Sequence, residues 1–179
     1  MQLAIVKTNP AAANPPVPSD LERIYTAHQS MVYRTAYRLM GNSADAEDVL
    51  QTVFMRLARR DSFDALTNPE SYLRRSAVNA SIDLIRERQR AGEVPLEALP
   101  SSAACTELRD SLRKALATLD PKQAEMFALR FFEGYGNKDI AKMYGMSQVR
   151  VAVTIHRIRG KLQAELGKPR PQSRPAEAL

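Results

Sequence analysis

The chain of 179 residues is 44% hydrophobic and carries a formal net charge of +6, which suits one ordinary domain or two small ones with a phosphate-binding surface. Its one cysteine excludes an internal disulfide and a cysteine-rich metal site, and its two histidines lie far apart. No segment approaches the roughly twenty apolar residues of a membrane-spanning helix. We therefore expect a cytoplasmic, non-enzymatic protein without cofactor, metal or small-molecule substrate.

Proline-rich segments flank the predicted helices at both ends of the chain. Residues 1–19 contain four prolines among alanines and asparagines, and residues 167–179 contain three. Segments of this composition bury too little apolar surface to offset the entropy that folding costs. We therefore expect a disordered arm over 1–19 and a disordered tail over 167–179.

Residues 20–90 have the apolar periodicity of three or four helices separated by short turns. Gly41 is expected to end the first helix, and the basic residue Arg90 lies near the end of the last. Each helix is preceded by a residue whose side chain can accept a hydrogen bond from the first turn. The expected capping residues are Asp20 for the first helix, Asn42 or Ser43 for the second, and Asn68 for the third.

Residues 91–105 are rich in glycine, proline and small side chains, a composition typical of a flexible linker. We place the domain boundary there. Residues 106–166 predict four further helices, of which the second starts at Asp120-Pro121 and ends near Gly134. The expected fold class is therefore all-α, with two small helical domains, 20–90 and 106–166, joined by the linker.

Residues 137–162 have the spacing of a helix-turn-helix. Ala141 stands where only a small side chain fits between two crossing helices, and Gly145 can supply the positive φ of the tight turn. Ser147 can cap the second helix. The apolar positions that would pack that helix against the first are Val151, Ile155, Ile158 and Leu162. The alternative is an ordinary helical hairpin with a solvated basic face.

The outward face of this second helix is flanked by cations and is free to enter the major groove of DNA. Flanking cations would hold phosphates while central residues meet base edges. An exposed valine such as Val149 can contact a thymine methyl, although another protein surface can cover it instead. The residues that we expect to bind DNA here are Ser147, Arg150, Val153, His156, Arg157 and Lys161.

A polar stripe runs along one side of the third predicted helix, with members three or four residues apart. An amide among arginines suits a strand of nucleic acid, and the alternative is a solvated face with Arg–Asp pairs. The opposite side of the same helix is apolar. The stripe consists of Arg75, Asn79, Asp83, Arg86 and Arg90.

These segments together resemble the extracytoplasmic-function class of sigma factors, the two-domain minimal class of bacterial sigma factors. The resemblance rests on residues 45–54, 72–83, 116–121 and 134–162, which follow that family's order. A helix-turn-helix alone is common, but its combination with the acidic segment 45–54 is specific. The resemblance implies a subunit that binds core RNA polymerase and directs promoter recognition, DNA melting and transcription initiation.

The resemblance also implies which residues bind the polymerase. An acidic surface around an exposed aromatic would bind the basic clamp coiled coil of the largest subunit, because charge complementarity would surround an apolar anchor. The same acids also suit the positive end of the helix dipole, and both roles can coexist. The residues concerned are Asp45, Glu47, Asp48, Gln51 and Phe54.

For the minus-ten element, the resemblance implies that a base flipped from the non-template strand is captured by Phe63 together with the third helix. Phe63 can instead be a loop anchor in the core. The third-helix residues involved would be Arg75, Asn79, Asp83 and Arg86. The helix-turn-helix would read the minus-thirty-five element and contact the polymerase flap, and an anti-sigma protein is a further expected partner.

The chain departs from the family pattern in the helix-turn-helix. Ala152, Val153 and Thr154 stand where many relatives have a basic residue, a serine and an arginine, and Gly136 replaces the usual hydroxyl cap. The promoter sequence therefore stays open. Two other classes are also open on sequence alone: an operator-binding helix-turn-helix regulator that is not a polymerase subunit, and a helical adaptor that binds only proteins.

Overall fold

The structure, a computed structural model, describes residues 19–60, 68–92 and 103–167, with the backbone alone for 103–107. Within these ranges it contains seven α-helices and no strand, so the expected all-α fold class is confirmed. None of these helices is long and apolar enough to span a membrane. The helices are α1 (Asp20–Met40), α2 (Ser43–Ala58), α3 (Pro69–Ala91), α4 (Ala103–Thr118), α5 (Pro121–Phe131), α6 (Asn137–Tyr144) and α7 (Gln148–Leu166).

The cap of α1 is Ser19, not Asp20 as predicted. The Ser19 hydroxyl accepts a hydrogen bond from the Glu22 amide at 3.2 Å, and the Glu22 carboxylate accepts one from the Ser19 amide at 3.0 Å. This reciprocal pair satisfies two amides that would otherwise lack partners, while Asp20 lies in the first turn. Ser19 therefore belongs to the folded unit, and the rest of the expected arm lies outside the described residues.

The other predicted caps of the N-terminal helices are confirmed. Asn42 accepts from the Asp45 amide at 2.8 Å at the start of α2, and Asn68 accepts from the Ser71 amide at 2.9 Å at the start of α3. Gly41 follows α1 in the left-handed conformation. Capping residues are strong local signals in a sequence because their side chains bond backbone groups that a helix end leaves without partners.

Helices α1, α2 and α3 pack against each other around one apolar core. The apolar periodicity places Val32, Val53 and Leu73 in it, and all three side chains are fully or almost fully buried. Burying a side chain of this size stabilises a fold by about 1.5–3 kcal/mol. The core therefore fixes which faces of α2 and α3 point outward.

Helices α4 to α7 form a second unit around Leu116, Leu129 and Ile158. Helix α4 begins at Ala103, so the last three residues of the expected 91–105 linker are helical. Burial increases toward the C-terminal end of α4. Leu108, which the periodicity places in the apolar stripe, therefore lies beyond the packed part of the helix and is exposed.

The two units contact each other, although the sequence suggests only a flexible connection. Helix α3 packs on α4 and α5, and Leu39, Val78 and Ile82 of the N-terminal unit share a buried cluster with residues of α4 to α7. Residues 93–102 lie outside the described residues. The described parts of the chain therefore form two small helical bundles, and α3 of the first bundle packs against α4 and α5 of the second.

Candidate nucleic-acid interface

Helices α6 and α7 form a helix-turn-helix in which the turn residues do what the sequence predicts. Gly145 has a φ of +62°, and the amide of Met146 donates to the carbonyl of Ala141 at 2.9 Å. Ala141 is buried where the helices cross. The Ser147 hydroxyl accepts from the Arg150 amide at 3.2 Å and caps α7. Gly136, by contrast, provides no side-chain cap for α6.

One face of α7 holds it to the bundle and leaves the opposite face exposed. The four apolar residues predicted to pack inward, Val151, Ile155, Ile158 and Leu162, are all buried. On the outward face, Val149 is 73% exposed and Val153 is 44% exposed. The predicted DNA-binding residues Ser147, Arg150, Val153, His156, Arg157 and Lys161 are all exposed there, and Lys161 also donates to Gln123 at 3.0 Å.

The polar stripe of α3, apart from Arg90, lines an open cleft of about 510 Å³ between the two units. Four predicted minus-ten residues, Arg75, Asn79, Asp83 and Arg86, form one wall. The opposite wall comes from the C-terminal unit and includes Lys122, Glu125 and Tyr144. Asp83 also lies 3.8 Å from Arg56 of α2 in an exposed ion pair. The fifth predicted residue, Phe63, lies outside the described residues.

Two arginines of the stripe are engaged by the C-terminal unit and are not free, which the sequence does not suggest. The Arg75 Nε donates to Glu125 at 2.6 Å, and its guanidinium lies 5.0 Å from the centre of the Tyr144 ring. The hydrogen bond to Glu125 raises the pKa of Arg75. Arg86 donates to the carbonyls of Ala117 and Leu119 at 3.3 and 2.8 Å, where α4 ends.

Arg74 and Arg38 both contact Glu133 of the C-terminal unit, which the sequence does not predict. Arg74 donates to Glu133 at 2.7 Å and to Glu70 at 2.8 Å, and Arg38 donates to the other Glu133 oxygen at 3.1 Å. Burial opposes the charge on Arg74, but the hydrogen bonds to the two carboxylates raise its pKa above the ordinary value. Only the Glu70–Arg74 spacing of four residues was a usable local signal.

The acidic surface of α2, defined here as Glu47, Asp48, Gln51 and Met55, is exposed. Two members of the predicted polymerase-binding set are not part of it. Asp45 is buried and paired with Arg88 of α3. Phe54 is not the exposed aromatic that was expected, because it is buried edge-on against Tyr25, with ring centres 4.8 Å apart. The exposed apolar side chain of this surface is Met55, at 56% exposure.

Across the described ranges, no group of three or more His, Cys, Asp or Glu side chains could hold a metal ion. The outward face of α7 carries exposed cations, two arginines of the α3 stripe contact the C-terminal unit, and α2 carries the exposed carboxylates Glu47 and Asp48.

Comparisons with known proteins match both units. The family model for sigma-70 region 2 matches residues 24–91, and the model for sigma-70 region 4 matches residues 109–162. The RNA polymerase sigma-E factor of Streptomyces coelicolor is 33% identical over 153 residues, which cover 82% of this chain and 86% of that protein.

Other relatives have the same extent. The RNA polymerase sigma factor CarQ of Myxococcus xanthus is 30% identical over 155 residues, covering 82% of this chain and 89% of that protein. The solved structure of the sigma factor RpoE with the anti-sigma factor NepR from Bartonella quintana is 24% identical, with a TM-score of 0.49, covering 84% of this chain and 99% of that one. The two family models and the relatives at 33% and 30% identity show that the chain belongs to the extracytoplasmic-function class of the sigma-70 family of RNA polymerase sigma factors.

Proposed function

We propose that this sigma factor binds core RNA polymerase through the acidic surface of α2, the minus-ten element through α3, and the minus-thirty-five element through α7. As a sigma factor it directs core polymerase to promoters, and its role is binding without a reaction of its own. One observation carries the assignment: a single chain presents an exposed acidic helix face on one unit and an exposed basic helix-turn-helix face on the other. We expect it to work in the cytoplasm, where the polymerase acts.

The assignment of α2 to the polymerase rests on its charge and its exposed methionine. Glu47 and Asp48 offer the negative charge that a basic clamp coiled coil would complement, which favours fast and specific association. Met55 offers a flexible apolar side chain, which can fill an irregular pocket on a partner. Asp45 contributes indirectly, because its buried ion pair fixes the start of α2 against α3.

The assignment of α7 to duplex DNA rests on exposed cations that flank exposed valines. Arg150, Arg157 and Lys161 can reach phosphates on either side of a major groove, which fixes the register of the helix. Val149 and Val153 then face the base edges, where the thymine C5-methyl is the apolar group on offer. We therefore propose that these two valines select thymine within the upstream element. The same unit would contact the polymerase flap.

The assignment of α3 to the minus-ten element rests on the cleft residues. The Asn79 amide can donate to and accept from the edge of an extruded base. Arg75 and Arg86 use some of their donors on the C-terminal unit, and their remaining N–H groups can hold the backbone on either side. Phe63 stays a prediction of the family resemblance, as does an anti-sigma partner. The comparisons give no support to an operator-binding regulator that works without polymerase.

Reconstituted transcription tests the proposal. The purified chain and core polymerase are expected to start transcripts on promoter fragments selected from random DNA. Asp48→Arg should weaken core binding and reduce transcription, because it places a cation against the basic clamp. Asp20→Arg, the same charge reversal at an exposed position of α1, is the matched control. Transcription that is equal in both variants would refute the α2 assignment.

A further inference from the structure

Gly160 lies in the interior of α7, where neither the backbone nor the packing of the described residues requires a glycine. It is not among the glycines with a positive φ, so its backbone has the helical conformation that other residues adopt. A Cβ added to it would meet no other side chain within 4 Å. Glycine weakens a helix interior, because its unfolded chain has more conformations to lose. This combination points to the surface that α7 presents to a partner.

Gly160 belongs to the outward face of α7. It follows the buried residue Val151 by nine positions, which is about two and a half helical turns, so it lies on the side opposite the core. Val153 lies on the same side, about two turns before Gly160. Both positions are exposed. The face that we propose for the major groove therefore ends in bare backbone, where earlier positions carry side chains.

Three exposed cations surround this glycine. Arg157 precedes it by three residues, and Arg159 and Lys161 are its direct neighbours along the chain. Lys161 donates to Gln123 at 3.0 Å, which uses one of the three donors of its ammonium group. The one acidic residue of α7 is Glu165, five positions further on. The bare backbone therefore lies within a positively charged rim, which is the charge that a phosphate requires.

The position of Gly160 along the helix matches the edge of a major groove. Gly160 lies seven residues beyond Val153, or about 10 Å along the helix axis, and the groove is about 12 Å wide. A helix that crosses the groove with Val153 over the base edges therefore meets a strand near Gly160. Since amides inside a helix already donate to helix carbonyls, the glycine offers close approach, and the cations around it offer the hydrogen bonds.

We propose that Gly160 lets a DNA phosphate approach the backbone of α7 at the edge of the major groove, where Arg157, Arg159 and Lys161 bind it. The inference rests on the proposed binding of the minus-thirty-five element by α7. A side chain at this position would hold the strand away from the cations. It would also lift the valines from the base edges, because α7 is rigid between them. The glycine thus sets how deeply the helix enters the groove, although it weakens the helix itself.

Substitutions of Gly160 should change stability and DNA affinity in opposite directions. Alanine and leucine are better helix formers, so Gly160→Ala and Gly160→Leu should both raise the midpoint of thermal unfolding. Both should weaken binding of the holoenzyme to a promoter duplex selected in reconstituted transcription. Gly160→Leu should lose about tenfold or more, as for one charge-assisted contact, and Gly160→Ala should lose less. Ala27→Leu, at an exposed position of α1, is the matched control and should bind the duplex like the parent chain.

Changes to the DNA show whether the lost contact is to a phosphate. Single phosphates of the upstream element are replaced, one position at a time, by uncharged methylphosphonates. At least one replacement should weaken binding by the parent holoenzyme, and the same replacement should have little effect on Gly160→Leu and a reduced effect on Arg157→Ala. The slope of log affinity against log salt should also fall by about one in Gly160→Leu.

The proposal is overturned if Gly160→Leu binds the duplex as tightly as the parent, or if Gly160→Ala unfolds at a lower temperature. It is also overturned if Gly160→Leu binds less tightly but responds to every methylphosphonate as the parent does, because the glycine then faces a polymerase surface. The proposed function is tested separately. Absence of transcripts from the parent chain with core polymerase would refute that function. Weaker binding by Arg157→Ala with unchanged binding by Gly160→Leu would refute only the role of the glycine.

Discussion

Asp45 and Arg88 form a two-point ion pair that ties the beginning of α2 to the end of α3. One guanidinium nitrogen donates to Asp45 Oδ2 at 2.6 Å and the other donates to Oδ1. The same Oδ2 also accepts from the side-chain amide of Asn42 at 2.8 Å. The carboxylate is buried, so it is a structural group, and its neighbours Glu47 and Asp48 are left to face a partner.

Replacing Asp45 with alanine should therefore reduce the free energy of unfolding. Arg88 is partly exposed, so some of the lost interaction is recovered from water, and we expect a loss of about 2 kcal/mol. Urea denaturation followed by circular dichroism would measure it. Asp48→Ala is the matched control, with an expected change within about 0.5 kcal/mol for a surface position. Equal losses in the two variants would contradict the structural role of Asp45.

Alanine substitutions of the neighbouring residues Phe54 and Met55 should have different effects: the first on the stability of the fold, the second on polymerase binding. Phe54→Ala empties a core position and should destabilise the fold by about 3 kcal/mol. Met55→Ala should leave stability nearly unchanged and weaken the complex with core polymerase by about tenfold, as expected for a central interface side chain. Affinity measured by fluorescence anisotropy with labelled chain would give the second value. If Met55→Ala binds core polymerase with unchanged affinity, Met55 does not contribute to the interface.

The sequence predicts the helices well because their signals are local. A capping residue and an apolar repeat act within four residues, as at Asn68 and along α7, and both outcomes agree with the structure. The sequence does not predict a contact whose partner residue lies far away along the chain. Arg88 lies 43 residues from Asp45, and Glu133 lies 59 residues from Arg74. No local pattern shows which exposed-looking arginine or carboxylate will find such a partner.

Two glycines of the helix-turn-helix should respond in opposite directions to the same substitution. Gly145→Ala places a side chain at a φ of +62°, so it should cost about 1 kcal/mol of unfolding free energy. Gly160 lies within helix α7 and an added Cβ would meet no other side chain within 4 Å, so Gly160→Ala should gain up to about 1 kcal/mol through helix propensity. Thermal unfolding of both variants measures the difference. A loss of stability in Gly160→Ala would mean that its space is not open.

Phosphate contact by α7 should appear as salt dependence. Arg157 is exposed on the outward face of α7, so Arg157→Ala should weaken binding of the upstream promoter duplex and reduce the slope of log affinity against log salt by about one. Arg23→Ala on α1 removes the same charge far from the helix-turn-helix and is the control. An unchanged slope would show that Arg157 faces solvent and contacts no phosphate.

Thymine recognition by the exposed valines can be tested on the DNA as well as on the protein. Replacing thymines of a selected upstream element with deoxyuridine removes only the C5-methyl groups. This replacement should weaken DNA binding by the parent chain by about 1 kcal/mol or more for each methyl group that the valines contact. A Val149→Ala, Val153→Ala variant has lost the apolar surface and should bind both duplexes alike. The comparison is made with the holoenzyme by filter binding. If the parent also binds both duplexes alike, the valines do not read thymine, and their exposure then points to a protein surface that covers α7.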